Sequence, residues 1–498
     1  MALLMAALCA GQDRLDQVIE RARKEFEVPG IAVAVVKDGK VVLSKGYGVR
    51  KLGGTAPVTP QSLFPIASNS KAFTTAALAI LVDEGKLSWD DRVVDRLPAF
   101  QMYDPYVTRE MTVRDLLTHR SGLGLGAGDL LFWPSTDLTP DEIVRRFRFL
   151  KPATSFRSRY AYDNVLYFVP GQLIPAVTGK PWDEFMRDRI FVPLGMSRTH
   201  LDSRSLATDP DVATPHARAD GKVVPIVQPE HVLSPAGSVI SCVSDLAKWL
   251  IVQLDRGRLP DGRRLFSEAQ SKEMWSPQTI LPGDSLPPSN FNAYGLGWML
   301  RDYRGRKMVY HTGTLMGSVS RVTMVPDLQL GIVVLTNQED AGAHVAVTWS
   351  ILDQYLGVPE TDWVAAYRKP ATVEAVQSAP PRNANSRPSL PLAAYAGRYR
   401  DPWYGDVVLE ERGGKLTILF THTKQLTGDL EHWQYDTFVA RWRDRTLAAD
   451  AYVTFALGPD GKIEQVKMKP VSPLTDFSFD FQDLDLRPVA QASLPVKP

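Results

Sequence analysis

From Lys71 to Gly85 the chain reads Lys-Ala-Phe-Thr-Thr-Ala-Ala-Leu-Ala-Ile-Leu-Val-Asp-Glu-Gly, apolar on nearly every side and closed by glycine where a helix C-terminus favours one. A helix with no polar face has to be buried, so the fold must enclose this segment. A strand-like run, Leu63 to Ala67, precedes it, and Ser68-Asn69-Ser70-Lys71 sits at the handover. Residues three apart on a helix are neighbours, which sets the Lys71 ammonium beside the Ser68 hydroxyl. At the first turn of a helix, unpaired N–H groups and the positive dipole end favour a developing negative charge. Burial would also lower the Lys71 pKa and fit it for proton transfer to or from a serine nucleophile. A lone S-x-x-K is weak, since a chain of this length holds on the order of one or two by chance. An N-cap serine and a solvated lysine are the bland alternative.

Two further motifs change the balance. Tyr162-Asp163-Asn164 lies in a polar stretch before the apolar segment Val165 to Val169. Two residues apart in an extended loop, Tyr162 and Asn164 point the same way, as a proton-transfer phenol and a substrate-amide ligand need to. Tyr160 competes for the phenol role, but only Tyr162 has the asparagine at that offset. A turn with a core tyrosine is the structural alternative. His311-Thr312-Gly313 lies in a β-patterned run, followed by Ser318 to Val325, a Pro326-Asp327 turn and Leu330 to Thr336, a pattern of antiparallel strands. Glycine on a strand lets another backbone or a substrate approach closely.

The order S-x-x-K, Y-x-N, H-x-G resembles the penicillin-recognising serine hydrolases, the group of class C β-lactamases, D,D-peptidases, D-aminopeptidases and related carboxylesterases. Leu116 to Leu123, Pro235 to Ser241 with Asp245-Leu246-Ala247, and Tyr294-Gly-Leu-Gly-Trp298 also look like recurrent segments of that family, over roughly residues 12 to 357. The resemblance implies Ser68 as nucleophile, with Lys71 and Tyr162 sharing its proton and His311 completing the catalytic set. Asn164, Thr312, Gly313 and Thr314 would bind substrate, and the backbone N–H groups of Ser68 and Thr314 would form the oxyanion hole. Whether Lys71 or Tyr162 is the acylation base stays open. The departure is His311, where β-lactamases usually have lysine. An imidazole with an ordinary pKa of about 6.5 is only partly charged at neutral pH, which points away from β-lactams and toward peptide, amide or ester substrates. The function so implied is a peptidase working through an acyl-enzyme on short or D-residue-containing peptides. The alternatives are a carboxylesterase on small acyl esters, a weak β-lactamase, or a penicillin receptor with slow turnover.

Other chemistries fit worse. There is no G-x-S-x-G elbow, H-E-x-x-H or paired-cysteine spacing, so neither an α/β-hydrolase nor a metal site is expected, and no cofactor is implied. Gly122 to Gly128 follows a helix-like segment, not a strand, and is a loop before it is a nucleotide cradle. The net charge of +1 excludes a case for nucleic acid or anionic membranes, and no run approaches the roughly 20 apolar residues of a membrane span. The expected partner is a small molecule or short peptide.

Four stretches are expected. Residues 1–11 are apolar and lack basic residues, a candidate signal remnant that would make the protein periplasmic or secreted, and cytoplasmic otherwise. Residues 12–365 carry the motifs and read as an α+β fold of the β-lactamase and penicillin-binding-protein type. It consists of an antiparallel sheet flanked by helices and a mainly helical lobe carrying Tyr162, and it begins with a helix from about Asp13 to Glu27. Residues 366–390 have linker composition. Residues 391–498 show short strands and turns at barrel spacing and resemble the lipocalin-like domain appended to some relatives. Packing or homo-oligomer formation is that barrel's expected role, the alternative being to restrict the cleft at Ser68.

Overall fold

Val-rich segments separated by Asp38-Gly39 form the first hairpin, β1 (Gly30–Lys37) and β2 (Lys40–Gly48), with Gly39 at φ +72° in the turn. A computed structural model describes residues 2–227, 232, 234–282, 286–359, 361–368 and 382–489, with residues 2–12, 205 and 207 as backbone alone. Later in the chain come β3 (Thr279–Ile280), β4 (Asn292–Tyr294), β5 (Met299–Tyr303), β6 (Arg306–Leu315), β7 (Ser318–Val325) and β8 (Leu330–Thr336). They join the hairpin in an eight-stranded sheet of order β2-β1-β8-β7-β6-β5-β4-β3. Ile31 opposite Thr336 and Lys37 opposite Leu330 set the antiparallel register that unites the two ends of this region.

The sheet is covered on both faces, which is why β1 and β8 are apolar at nearly every position rather than at alternate ones, and why β7, half polar, is buried throughout. Ile31, Val33 and Val35 face one way, into a cluster with Leu15 and Ile19 of helix α1 (Ala2–Glu25) and Trp349 of the C-terminal helix described below. Ala32, Ala34 and Val36 face the other way, into the main core. That core encloses α2 (Ser70–Asp83), α3 (Val243–Leu254) and the helical lobe, with Phe73 of α2 stacked on Trp249 of α3 at 4.1 Å. The helix α4 (Ala343–Leu356) packs on α1. In the lobe, the Thr139/Glu142 capping box opens the helix Pro140–Arg146 as its sequence requires. The α+β architecture expected from the sequence is therefore present. Helix α1 runs longer than the expected segment, because the Ala- and Leu-rich residues before Asp13 are good helix formers and continue it.

Beyond residue 390 the chain forms β9 (Gly397–Asp401), β10 (Gly405–Arg412), β11 (Lys415–Phe420), β12 (Thr427–Gln434), β13 (Thr437–Trp442), β14 (Ala451–Leu457), β15 (Ile463–Pro470) and β16 (Arg487–Pro488). Neighbours pair as an antiparallel meander, β16 returns beside β9, and a Val466–Leu486 bridge nearly closes the barrel. Gly428 and Asp429 obscure the alternation of β12, and pairing on both sides makes it a strand. Tyr404, Phe420, Phe438, Trp442, Phe455 and Phe481 fill the interior. Residues 369–381 of the expected linker lie outside the described residues.

The barrel is locked onto the helical lobe. Arg146 donates to the carbonyls of Trp403 (2.8 Å) and Tyr404 (2.6 Å), and His422 lies 2.6 Å from Asp137. Between β15 and β16 the chain leaves the barrel. There the Asp480 carboxylate accepts from the N–H groups of Gly128 (2.6 Å) and Leu130 (3.0 Å). One hydrophobic cluster runs through lobe and barrel together. Among the described residues, no helix is long and apolar enough to cross a membrane.

Candidate active site

Ser68 stands in a one-turn 3-10 helix, Ala67–Asn69, that leads into α2. Ala67 holds φ +48°, a left-handed conformation costing about 1–2 kcal/mol for a residue with a Cβ, and so turns Ser68 out of the chain's path. The turn is pinned to β7: Asn69 Nδ2 donates to Ser320 Oγ (2.7 Å), which donates to the Ile66 carbonyl (2.6 Å). Gly313 lets β6 close on the same turn. A Cβ there would lie 2.2 Å from the Ile66 oxygen and 2.8 Å from the Ser68 nitrogen. Strand β6 pairs with β7 through Leu315 but with β5 only from Arg306 to Tyr310, leaving residues 311–315 one free edge beside Ser68.

Lys71 is fully buried, and its ammonium donates to Ser68 Oγ (2.9 Å), Asn164 Oδ1 (2.8 Å) and the Ala236 carbonyl (3.2 Å). Burial pulls its pKa from 10.5 down to about 7, against the charges of Asp129 and Asp163. The Tyr162 ring lies 4.9 Å from Lys71 Nζ, and burial holds its phenol well above 10 although Ser68 is within hydrogen-bonding reach. Asn164 is committed at both ends, since its Nδ2 donates to Asp129 Oδ2 at 2.8 Å. His119 packs its ring on Tyr162 at 4.1 Å and accepts from the Asp163 N–H at 3.1 Å.

His311 lies beside the same cavity, 1 % exposed. Its Nδ1–H donates to the Thr312 carbonyl (2.6 Å) and its Nε2 accepts from the Tyr294 hydroxyl (2.8 Å). Burial, with Lys71 nearby, pushes its pKa down to about 3. The partly charged imidazole expected from the ordinary histidine value is therefore a neutral one, because desolvation and a neighbouring cation both disfavour its charge. Thr312 and Thr314 line the cavity, half-buried and exposed respectively.

That cavity, of about 670 Å³, opens onto Ser68. Leu125, Phe132, Trp133, Leu201 and Leu315 supply apolar walls, and Asp476, Phe477 and Ser478 arrive from the barrel. Its described lining has three carboxylates, Asp183, Asp202 and Asp476, and one cation, Arg204, paired with Asp202 at 2.6 Å. No group of three or more His, Cys, Asp or Glu side chains among the described residues could hold a metal ion.

The structure brings together Ser68, Lys71, Tyr162, Asn164, His311, Thr312, Gly313 and Thr314, from three separated stretches of chain. Sequence reasoning missed the partners behind them. Tyr294 and Ala236 lie within segments already singled out, and only their contacts give them meaning. Asp129 and Ser478 belong to no motif, and no spacing in the chain signals them.

Residues 15–356 match the family described as Beta-lactamase, and residues 381–488 match a domain of unknown function, DUF3471. An unguisins hydrolase of Aspergillus campestris is 31% identical over 503 residues, 90% of this chain and 88% of that protein. Another, from Aspergillus violaceofuscus, is 28% identical and covers 90% of this chain and 86% of its own length. The octameric penicillin-binding protein homologue from Pyrococcus abyssi has a TM-score of 0.64 at 23% identity, over 95% of this chain and 99% of that one. For SurE the TM-score is 0.55 at 20% identity, over 96% and 99%.

Proposed function

The chain belongs to the β-lactamase family of serine hydrolases, and from that premise we propose that it cleaves amide bonds of short or D-residue-containing peptides through an acyl-enzyme on Ser68. One observation carries the proposal: a buried Lys71, with its pKa drawn to about 7, 2.9 Å from the Ser68 hydroxyl at the mouth of a cavity. With its amine neutral, Lys71 takes the Ser68 proton as Oγ attacks the carbonyl carbon. Tyr162, whose phenol stays protonated, suits the donor role: it passes a proton to the leaving amine and regains one from Lys71. The N–H groups of Ser68 and of Thr314, on the free edge of β6, would hold the oxyanion, each such donor being worth about 3–4 kcal/mol of barrier. Water then attacks the acyl carbon, its proton returning through the same groups.

The acidic lining and neutral His311 support substrates with uncharged or amine-bearing ends over those with a free carboxylate. Two relatives named as unguisins hydrolases agree with hydrolysis and leave this chain's substrate to be found. The apolar walls favour a second reading, a carboxylesterase on small neutral esters. We also propose that residues 12–365 form the hydrolase domain and residues 391–498 a barrel domain packed on it. Intact-protein mass spectrometry with an activated p-nitrophenyl ester, a D-aminoacyl anilide and a cephalosporin separates these activities. A transient adduct on the wild type, absent from Ser68→Ala, is the expected result, and a persistent adduct only with the cephalosporin would indicate a receptor. Wild-type turnover by folded Ser68→Ala would overturn the assignment.

A further inference from the structure

We propose that the C-terminal barrel completes the catalytic centre: Ser478 holds the Asp129 carboxylate, and Asp129 fixes the Asn164 amide so that its oxygen, not its nitrogen, faces Lys71. The inference rests on the reading that Ser68 and Lys71 carry the reaction. Both residues are positioning residues, acting through Asn164.

The argument starts from the asparagine. The two ends of its amide have nearly the same shape and differ only in what they bond, so the surrounding partners decide which way it points. A lysine ammonium offers donors alone and requires the oxygen. The NH2 end therefore needs an acceptor, and Asp129 Oδ2 supplies it at 2.8 Å. Were the amide to turn over, NH2 would meet ammonium and Lys71 would lose an acceptor in a fully buried site.

Asp129 in turn needs donors, because a carboxylate removed from water is costly unless hydrogen-bonded. It is fully buried, its Oδ1 has no hydrogen-bond partner among the described residues, and its Oδ2 accepts from Asn164 Nδ2 and from Ser478 Oγ at 2.9 Å. The barrel thus supplies one of the two donors. The loop bearing Ser478 is built against the turn bearing Asp129. Asp480 accepts from Gly128 and Leu130, the residues flanking Asp129, and a Cβ on Gly126 would sit 2.5 Å from the Phe477 carbonyl. A continuous path of contacts runs from Ser478 through Asp129, Asn164 and Lys71 to Ser68.

Charge follows the same path. The groups facing Asp129 are Lys71, Asp476, Asp480 and the Tyr162 phenol. Burial raises the Asp129 carboxyl to about 8, beside a Lys71 at about 7, so the two titrate as a pair; the ionised carboxylate favours the Lys71 ammonium, and removing that charge lowers the pH at which Lys71 loses its proton. Loss of the Ser478 donor favours protonated Asp129 and acts in the same direction.

The test measures kcat/KM against pH for full-length wild type, Ser478→Ala, Ser478→Thr and Asp129→Asn on a neutral activated ester, with Ser68 labelling and melting followed alongside. Ser478→Ala should lose about tenfold in kcat at nearly unchanged KM, the size of one hydrogen bond to a charged group, and its acidic limb should move to lower pH. Ser478→Thr should recover both, and Asp129→Asn should show the larger limb shift. A Ser478→Ala variant with wild-type kcat and limb would overturn the proposal. So would a loss that Thr fails to restore with the limb unmoved, which is the mark of packing alone. If Asp129→Asn does not fold, the serine pair decides. Absence of Ser68 labelling in the wild type would instead remove the proposed function itself.

Discussion

The role proposed for Lys71 comes at the expense of stability. In the unfolded chain its pKa is near 10.4, whereas burial holds the folded value at about 7. Between those values the unfolded state binds more protons, so stability falls as pH drops from about 10 to 7 and is level below the folded value. Lys71→Met removes this term. Relative to wild type, the variant should gain up to several kcal/mol between pH 10 and pH 7 while losing turnover, a difference read from denaturant melts at the two pH values. In the wild type, kcat/KM should rise with pH through about 7 as Lys71 becomes the free base. His311 gives a second prediction at this scale. Both ring nitrogens are engaged, by Thr312 and Tyr294, so His311→Lys should lower kcat/KM in parallel for an anionic and a neutral substrate. Improvement confined to the anionic substrate would show that this position reads charge.

Among the elements, β6 and the turn before α2 decide the geometry, and they meet through a glycine. Any side chain at Gly313 collides with the Ile66 carbonyl and the Ser68 N–H, both backbone atoms that cannot rotate away. Gly313→Ala should therefore displace the free edge of β6 from Ser68. We expect kcat to fall by about 10²–10³, the cost of one lost oxyanion donor, with a smaller change in KM and some loss of melting temperature, because Gly313 also lies in the ladder paired with β7. Equal losses in KM and kcat would indicate a blocked cavity instead. Helix α2 shows how far local pattern reaches: its apolar sequence demanded burial, and it is buried from Ser70 to Leu81. That Ser68 occupies a 3-10 turn after a left-handed Ala67, rather than the first turn of α2, was not legible. No pattern in Phe-Pro-Ile-Ala announces a positive φ at alanine.

For the whole molecule, the barrel is part of the hydrolase rather than an attachment. A shared hydrophobic cluster, the Arg146 and Asp480 contacts and the three barrel residues in the cavity wall all cross between them. A chain ending within residues 366–390 should expose the lobe's apolar face and be recovered insoluble or, if soluble, unable to acylate Ser68. Expression of the truncated chain followed by labelling with an activated ester checks this. Full labelling of a soluble fragment would return the barrel to a packing role.

What the sequence by itself determined is what repeats over a few residues. The spacing of Ser68 and Lys71, the offset of Tyr162 and Asn164, strand alternation and helix caps are short-range geometry, and a chain adopts them wherever it is buried. Tertiary structure decided what depends on distant partners. His311 is neutral because the fold surrounds it, Asn164 points its oxygen at Lys71 because Asp129 stands behind it, and Ser478 reaches that carboxylate from 349 residues away. A pKa shift and an amide orientation are set by the local dielectric and by neighbouring groups, and neither arises until the chain has closed around the residue.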